Sequence, residues 1–188
     1  MTMPLAAEFD AEQPVIEAIQ LGDRSAFQEL VRRHGRWVRG VIFGVLGDGD
    51  RVDDVAQQVW QAVWSRIDDL RDAGQWRPWL YRLARNAAVD AGREKTRRKR
   101  LSLEAVGAAS PAAHQAPDRE LVAGERRATV LTAIRSLPAL YREPFVLRHL
   151  EDWSYRQIGD AMGLPTATVE TRLVRARQLL REALMGKV

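Results

Sequence analysis

The chain contains no cysteine and only three histidines in 188 residues, His34, His114 and His149. Disulfides and thiolate metal sites are therefore excluded, and histidines so far apart in sequence give no indication of a zinc or iron site. No run approaches the roughly 20 apolar residues of a membrane span, and the first residues lack a basic segment followed by an apolar one. We expect a cytoplasmic protein with no metal, no other cofactor and no membrane insertion.

Groups arranged for catalysis are also missing from the sequence. There is no nucleophile paired with a base and no glycine-rich, lysine-containing loop that would hold a phosphate. Asp53 and Asp54 are neighbours in a helical pattern, where adjacent side chains point about 100° apart. Two carboxylates that diverge in this way cannot act as an acid–base pair. We therefore expect that the protein is not an enzyme.

Charge is distributed unevenly along the chain. Residues 1–70 carry 12 acidic and 7 basic side chains, whereas residues 71–188 carry 13 acidic and 22 basic ones. A basic segment of this kind suits a partner rich in phosphate, such as nucleic acid. The acidic first part favours a second partner of the opposite charge.

Apolar residues recur at helical spacing throughout, and no segment shows the sustained alternation of a strand. After a terminus expected to be mobile up to about Glu12, the spacing predicts helices over residues 14–21, 25–45, 52–70, 75–93, 119–136 and 139–150, followed by a helix-turn-helix. Trp60, Trp64 and Trp79 lie on apolar stripes and are expected in the core. The sequence thus predicts an all-α protein.

A change of composition separates two parts of the chain. The basic run 93–100 is followed by a segment rich in Ala, Ser and Pro that has no periodicity. Such a segment buries too little apolar surface to offset the ordering cost of about 1–2 kcal/mol per residue. We predict two small helical domains, residues 1–95 and 119–188, joined by a flexible linker over residues 96–118.

The last part of the chain has the pattern of a helix-turn-helix. Ser154 and Gln157 form a capping-box signature at a helix start, and Gly163 and Pro165 separate that helix from the next. Hydroxyls at the start of the second helix and arginines one turn later suit the DNA major groove. An amphipathic helical hairpin with a solvated basic face is the alternative. The outward positions are Thr166, Thr168, Glu170, Thr171, Arg172 and Arg175.

Two blocks of the sequence resemble bacterial RNA polymerase sigma factors of the extracytoplasmic-function (ECF) type, in the sigma-70 family. In the first block, residues 22–27 (GDRSAF) resemble the motif G-D-x-x-A-F. Residues 53–60 (DDVAQQVW) resemble E-D-x-x-Q-E-x-F, and residues 76–86 (WRPWLYRLARN) are similar to F-R-x-W-L-x-R-I-A-R-N. This block covers about residues 22–95.

The second block covers about residues 126–182 and follows in the family's order. Residues 137–148 are similar to L-P-x-x-x-R-E-x-x-x-L-R, and residues 152–159 to G-x-S-Y-x-E-I-A. Residues 168–177 are close to T-V-K-S-R-L-x-R-A-R. Glu170 stands where the family usually has lysine, and Gln58 and Gln157 replace glutamates. The change at Glu170 puts the −35 sequence expected for the family in doubt.

The resemblance implies a promoter-specificity subunit with three binding surfaces. One surface, in the first domain, would dock on the clamp coiled coil of the largest polymerase subunit. The second domain would straddle the flap of the other large subunit. The implied core-binding residues are Asp53, Asp54, Gln57, Gln58 and Gln61. The −10 element would meet Arg77, Arg82, Arg85 and Asn86, and the −35 element would meet the outward residues of the helix-turn-helix given above.

Several points stay open at the level of sequence. Trp76 is either a stacking platform for DNA bases or a core residue. An anti-sigma partner is expected by analogy with the family. An autonomous helix-turn-helix regulator and a protein that sequesters polymerase are the competing functions, although no heptad that would form a dimer is present.

Overall fold

The computed structural model describes residues 6–105, 123–149 and 151–185, and none of these residues forms a strand. The all-α prediction is confirmed. The helices are α1 (Ala6–Gln20), α2 (Arg24–Leu46), α3 (Val52–Arg66), α4 (Trp76–Ala105), α5 (Ala123–Ser136), α6 (Ala139–His149), α7 (Tyr155–Met162) and α8 (Thr166–Met185). Two one-turn 3₁₀ helices, Ile67–Asp69 and Ala73–Gln75, lie between α3 and α4.

The first helical domain consists of α1 to α4, with α2 at its centre. The Asp23 carboxylate caps α2 by accepting hydrogen bonds from the backbone of Ser25 and Ala26, at 2.8 and 3.2 Å. Gly47 ends the same helix with a φ of 65°, and its N–H donates to the Phe43 carbonyl. The core is formed by one side of each helix and includes Ile16, Ile19, Leu30, Val38, Ile42, Val55, Val59, Val63, Leu80 and Ala84.

The second helical domain consists of α5 to α8 and contains the predicted helix-turn-helix. Both bonds of the capping box are present: Gln157 N–H donates to Ser154 Oγ at 3.2 Å, and Ser154 N–H donates to Gln157 Oε1 at 2.7 Å. Gly163, with a φ of 66°, makes the turn before α8. The inner side of α8 is formed by Val169, Leu173, Ala176 and Leu180, as its spacing predicts.

The two domains pack directly against each other through α6 on α2 and α7 on α4. Trp153, which precedes α7, stacks on Trp37 of α2 with ring centroids 5.4 Å apart and planes 23° apart. These two rings are 3% and 5% exposed. Offset aromatic pairs of this kind contribute about 0.5–1.5 kcal/mol beyond the burial of their area. The larger apolar cluster therefore extends from the first domain into the second, while a smaller one lies within α5, α6 and α8.

Two helix boundaries differ from the sequence predictions. Helix α1 begins at Ala6 and contains Pro14, so residues 6–12 are helical where a mobile terminus was predicted, and the first five residues of that terminus lie outside the described residues. The cause is tertiary: the Glu12 carboxylate is buried and lies 3.1 Å from Arg33 Nη1. Helix α4 continues to Ala105, past the predicted end at Arg93. Pairs at helical spacing support this extension, among them Arg98 with Glu94 at 2.5 Å.

The predicted linker is only partly within the described residues. Its first ten positions, 96–105, belong to α4, and the rest, 106–118, lies outside the residues that the structure describes. The predicted helix over 119–136 is seen as α5 from Ala123 onward. Position 96 is therefore not the end of regular structure, because the basic run forms further turns of α4.

The burial of the tryptophans differs in part from the prediction. Trp60 is buried as expected, whereas Trp64 is 38% exposed and packs against Phe27 in an edge-to-face pair, with centroids 5.1 Å apart. Trp79 is half-buried. Trp76 is buried in the core and contacts the His34 ring at 4.6 Å, so the open question about this residue is settled in favour of packing.

Candidate nucleic-acid interface

The five polar residues predicted on α3 share one exposed surface. Val52, Val55, Ala56, Val59 and Val63 fix the orientation of α3 by packing inward. This leaves Asp53, Asp54, Gln57, Gln58 and Gln61 exposed to solvent. The Asp53 carboxylate accepts a hydrogen bond from Arg39 Nε at 2.6 Å, and both side chains are largely exposed. Asp54 on the same surface is suited to charge-assisted bonds with a basic partner.

The outward side of α8 carries most of the residues that the helix-turn-helix pattern predicts. Thr166, Glu170, Thr171 and Arg175 are exposed, while Thr168 and Arg172 are half-buried at its margin. Thr171 Oγ1 donates to the Ala167 carbonyl at 2.9 Å. The main packing contacts of α8 within the described part of the chain are with α5, α6 and α7, in its own domain.

Two further residues lie on the same side of α8 and were missed from the sequence. Val174 is 44% exposed, and Gln178 is exposed and accepts a hydrogen bond from Arg175 Nη1 at 3.2 Å. The spacing of Thr171, Val174 and Gln178 at intervals of three and four places them on one ridge. That spacing is readable in the sequence.

The four residues predicted for the −10 element do not share one open surface. Arg82 and Asn86 are exposed one turn apart on α4. Arg77 and Arg85 lie on a different side of the same helix, which faces the second domain. The structure therefore brings together two pairs of residues and not a single group of four.

Arg85 and Tyr81 of α4 form a polar contact with Glu143 of α6. Arg85 Nε donates to Glu143 Oε2 at 2.9 Å, and Tyr81 Oη donates to the same oxygen at 3.4 Å. The hydrogen bond to Glu143 raises the pKa of Arg85. Burial, with the nearby Glu143 charge, raises the pKa of Tyr81. Tyr81 therefore stays protonated as a donor, and Arg85 is held as a cation against the carboxylate.

Arg77 lies between two tryptophans from the two domains. Its guanidinium carbon is 5.5 Å from the ring centroid of Trp76 and 5.5 Å from that of Trp153. A guanidinium over an indole face is stabilised by the ring quadrupole, by about 0.5–1 kcal/mol at exposed sites and more when water is excluded. The structure thus places Arg77 at the boundary between the domains.

Arg142 of α6 forms a further set of hydrogen bonds at this boundary. It donates from Nε to the Gly44 carbonyl at 2.9 Å and from Nη2 to the Val45 carbonyl at 2.8 Å, both near the end of α2. Its Nη1 donates within its own domain, to the carbonyls of Arg135 and Leu137 at 2.9 and 2.7 Å. Burial lowers the pKa of Arg142. Nothing in the sequence indicates that Arg142, Glu143 or Trp153 join the two domains.

Among the residues that the structure describes, no cluster of three or more His, Asp or Glu side chains is arranged to hold a metal ion. Within those same residues, no helix is long and apolar enough to cross a membrane.

Two helical domains, the second ending in a capped helix-turn-helix with arginines on its outer side, define a DNA-binding protein. Residues 30–98 match the family described as Sigma-70 region 2, and residues 127–180 match Sigma-70, region 4. The chain is 32% identical to the ECF RNA polymerase sigma-E factor of Escherichia coli K12, over 90% of this chain and 92% of that protein. It is 30% identical to the RNA polymerase sigma-H factor of Pseudomonas aeruginosa, over 93% and 94%.

Solved structures give the same picture. CnrH in complex with the cytosolic domain of CnrY is similar with a TM-score of 0.70 and 26% identity, covering 95% of this chain and 99% of that one. The sigma factor RpoE of Bartonella quintana, solved with the anti-sigma factor NepR, has the same fold with a TM-score of 0.65, over 85% and 96% of the two chains.

The chain belongs to the sigma-70 family, among the ECF sigma factors of RNA polymerase. It is accordingly a promoter-recognition subunit of RNA polymerase and not an enzyme. This family membership decides against the two competing functions considered from the sequence, an autonomous regulator and a sequestering protein.

Proposed function

We propose that three surfaces of the chain divide the work of promoter recognition. The acidic and amide residues of α3 bind core polymerase, α4 meets the −10 element, and the outer side of α8 reads the −35 element. The observation that carries this assignment is the separation of the surfaces: the α3 and α8 residues are exposed on different domains. Each surface can thus bind its own partner without competing with the other.

The core-binding surface comprises Asp53, Asp54, Gln57, Gln58 and Gln61, with Asp54 as its main charge. Carboxylates on a rigid helix suit an arginine-rich partner, and the clamp coiled coil of the largest polymerase subunit is the partner that the family implies. Asp53 already shares its charge with Arg39 at 2.6 Å. Asp54 therefore contributes more to binding than Asp53.

The −10 surface comprises Arg82 and Asn86, which are exposed, and Arg77 and Arg85, which lie at the domain boundary. Guanidinium and amide groups can hold the backbone and edges of bases that leave the duplex. Exposed Arg93, Arg97 and Arg98 extend positive charge along α4. This extension adds affinity that decreases as salt rises, because bound counterions are released.

The −35 surface comprises Thr166, Thr168, Glu170, Thr171, Arg172 and Arg175. Arginine bridges guanine in the major groove, and an acidic side chain accepts from the cytosine amino group. Glu170 is exposed on this side of α8. We assign to it a contact with cytosine, which would give this protein a −35 preference different from that of relatives with lysine at this position.

Cellular context follows from these partners. A subunit of RNA polymerase works in the cytoplasm, and an anti-sigma protein is the expected regulator because a neighbour in fold, RpoE of Bartonella quintana, is solved with one.

The second domain also binds the flap of the other large subunit. The functional division is 1–95 for core and −10 binding and 119–188 for −35 binding, with residues 96–118 between them.

Run-off transcription with bacterial core polymerase and promoter fragments from the same genome tests these assignments. Transcripts that depend on the protein, and whose aligned starts reveal two elements, support the proposal. Glu170→Lys should then shift the preferred −35 sequence without changing core affinity. A variant that loses affinity for every promoter equally would contradict base reading by Glu170.

A further inference from the structure

Gln20, the last residue of α1, is hydrogen-bonded to the segment that leads from α3 into α4. Its side-chain Nε2 donates to the Leu70 carbonyl at 2.8 Å and to the Ile67 carbonyl at 3.2 Å. Both partners are acceptors, so the amide must present its NH₂ group to them and not its oxygen. One side chain thus bonds two carbonyls that lie 47 and 50 positions further along the chain.

The end of α1 holds Gln20 firmly. Ile16 and Ile19, on the inner side of the helix, are buried in the core of the first domain. The turn into α2 is closed by the Asp23 N–H, which donates to the Ala18 carbonyl at 3.0 Å, while the Asp23 side chain caps α2. Gln20 therefore extends from a fixed part of the first domain.

The segment that Gln20 bonds, residues 67–75, is called here the connecting loop. The Leu70 N–H donates to the Ile67 carbonyl at 3.1 Å, and the Gln75 N–H donates to the Asp72 carbonyl at 2.9 Å. These local bonds close the two 3₁₀ turns, whereas Gln20 joins the loop to a different helix. The exposed polar side chains of the loop are Asp68, Asp69, Arg71, Asp72 and Gln75.

The connecting loop continues directly into the proposed −10 surface. It ends at Gln75, and α4 begins at Trp76, next to Arg77. A DNA strand that reaches the first turn of α4 therefore passes the exposed side chains of the loop. Carboxylate, guanidinium and amide groups can hydrogen-bond the edge of a base that has left the duplex. Such groups discriminate between bases only when the backbone that carries them is held in place.

We infer that Gln20 is a positioning residue for −10 recognition: its two hydrogen bonds hold the connecting loop beside α4, so that the exposed side chains of the loop discriminate between bases. Gln20 acts through the loop and not by contacting DNA. This inference rests on the proposed −10 assignment. It extends that assignment to a residue outside residues 30–98, which match Sigma-70 region 2.

Hydrogen–deuterium exchange tests whether Gln20 holds the loop. Gln20→Met keeps the length of the side chain and removes both donors. Gln13→Met is the matched control, because it makes the same substitution at an exposed position of α1, where Gln13 bonds Glu17 of the same helix at 2.9 Å. The backbone amides of Leu70 and Gly74 should exchange faster in Gln20→Met and at the wild-type rate in Gln13→Met. Unchanged exchange in Gln20→Met overturns the inference.

Transcription tests whether the held loop discriminates between bases. Run-off reactions use core polymerase saturated with each variant, on one promoter and on copies with single-base changes in the −10 or the −35 element. Gln20→Met should reduce the preference for the original −10 sequence at least about threefold, because misplaced groups reject a wrong base less well. Its −35 preference should stay at the wild-type value. A loss of stability alone lowers transcription from every template by the same factor, and that result overturns the inference.

Failure of the proposed function gives a different result. If wild type shows no preference for the original −10 sequence, the −10 assignment itself fails. Arg82→Ala, on the exposed side of α4, serves as the reference for that assignment. If Arg82→Ala reduces the −10 preference and Gln20→Met does not, the assignment stands and the inference about Gln20 is overturned.

Discussion

The guanidinium of Arg142 fills the space that a side chain at Gly47 would need. A Cβ built at Gly47 would lie 2.5 Å from Cζ and Nη1 of Arg142. The glycine also has a φ of 65°, which other residues adopt at a cost. One glycine in the first domain thus permits both the end of α2 and the entry of a cation from the second domain.

Replacing Gly47 should therefore cost more than replacing a glycine of the same conformation elsewhere. Gly163 is the matched control, because its φ is 66° and no atom lies within 4 Å of an added Cβ. Gly163→Ala should lower the free energy of unfolding by about 1–2 kcal/mol. Gly47→Ala should lower it by about 2–4 kcal/mol, since it also displaces Arg142 from its carbonyls. Urea unfolding measures both, and equal costs would contradict the role given to Arg142.

The −35 assignment predicts that Arg172 and Arg175 contribute more to promoter binding than Arg181, which lies further along α8. Arg172→Ala and Arg175→Ala should each weaken promoter binding by the polymerase holoenzyme by about 1–3 kcal/mol while leaving affinity for core unchanged. Arg181→Ala is the matched control, because it removes the same charge about 9 Å further along the helix than Arg175. Filter binding at two salt concentrations separates the effects. If Arg181→Ala weakened binding as strongly, nonspecific charge would explain the result.

The core-binding assignment predicts the opposite pattern. Asp54→Lys should weaken binding to core polymerase, because it presents a cation to a basic partner surface. Asp53→Lys should have a smaller effect, since Asp53 already pairs with Arg39. Glu17→Lys, an exposed charge reversal on α1, serves as the control. Fluorescence anisotropy with labelled protein gives the affinities. Equal losses from Asp54→Lys and Glu17→Lys would show a general charge effect without a defined surface.

Stability should decrease in mild acid because of His34. Burial lowers its pKa below the ordinary value of 6.5, although the neighbouring Glu12 carboxylate acts in the opposite direction. As pH falls through about 6.5, the unfolded chain takes up this proton before the folded chain does, so the free energy of unfolding decreases. The decrease continues until the folded pKa is reached, and above about pH 7 the effect is absent.

Thermal unfolding between about pH 7.5 and about pH 5.5 tests this behaviour. His34→Gln removes the titrating ring and leaves a side chain that does not titrate, so Tm should depend less on pH than in wild type. The comparison concerns the slope of Tm against pH, and an overall loss of stability in the variant does not affect it. An unchanged slope would assign the acid sensitivity to other groups, such as His149, whose pKa burial also lowers.

Local sequence was sufficient for most helices and for the helix-turn-helix, because periodicity and capping act within a few residues. The Ser154–Gln157 capping box is an example, and both of its predicted bonds are present. The domain contact could not be predicted in this way. Arg142 and Gly44 are separated by 98 positions. Glu143 is a charged residue of a type that is usually exposed on the surface of a helix. Only the three-dimensional approach of α6 to α2 and α4 gives these side chains their partners.

Because α4 continues through the basic run, it holds a row of exposed polar side chains at fixed distances from one another. Arg82, Asn86, Arg93 and Arg97 are exposed at intervals of four, seven and four residues, which return to nearly the same side of a helix. From Arg82 to Arg97 the stripe measures about 22 Å, close to the length of six phosphates at about 3.4 Å per strand step. A helix keeps this spacing fixed, so a nucleic-acid strand that follows α4 is measured over about two-thirds of a DNA turn.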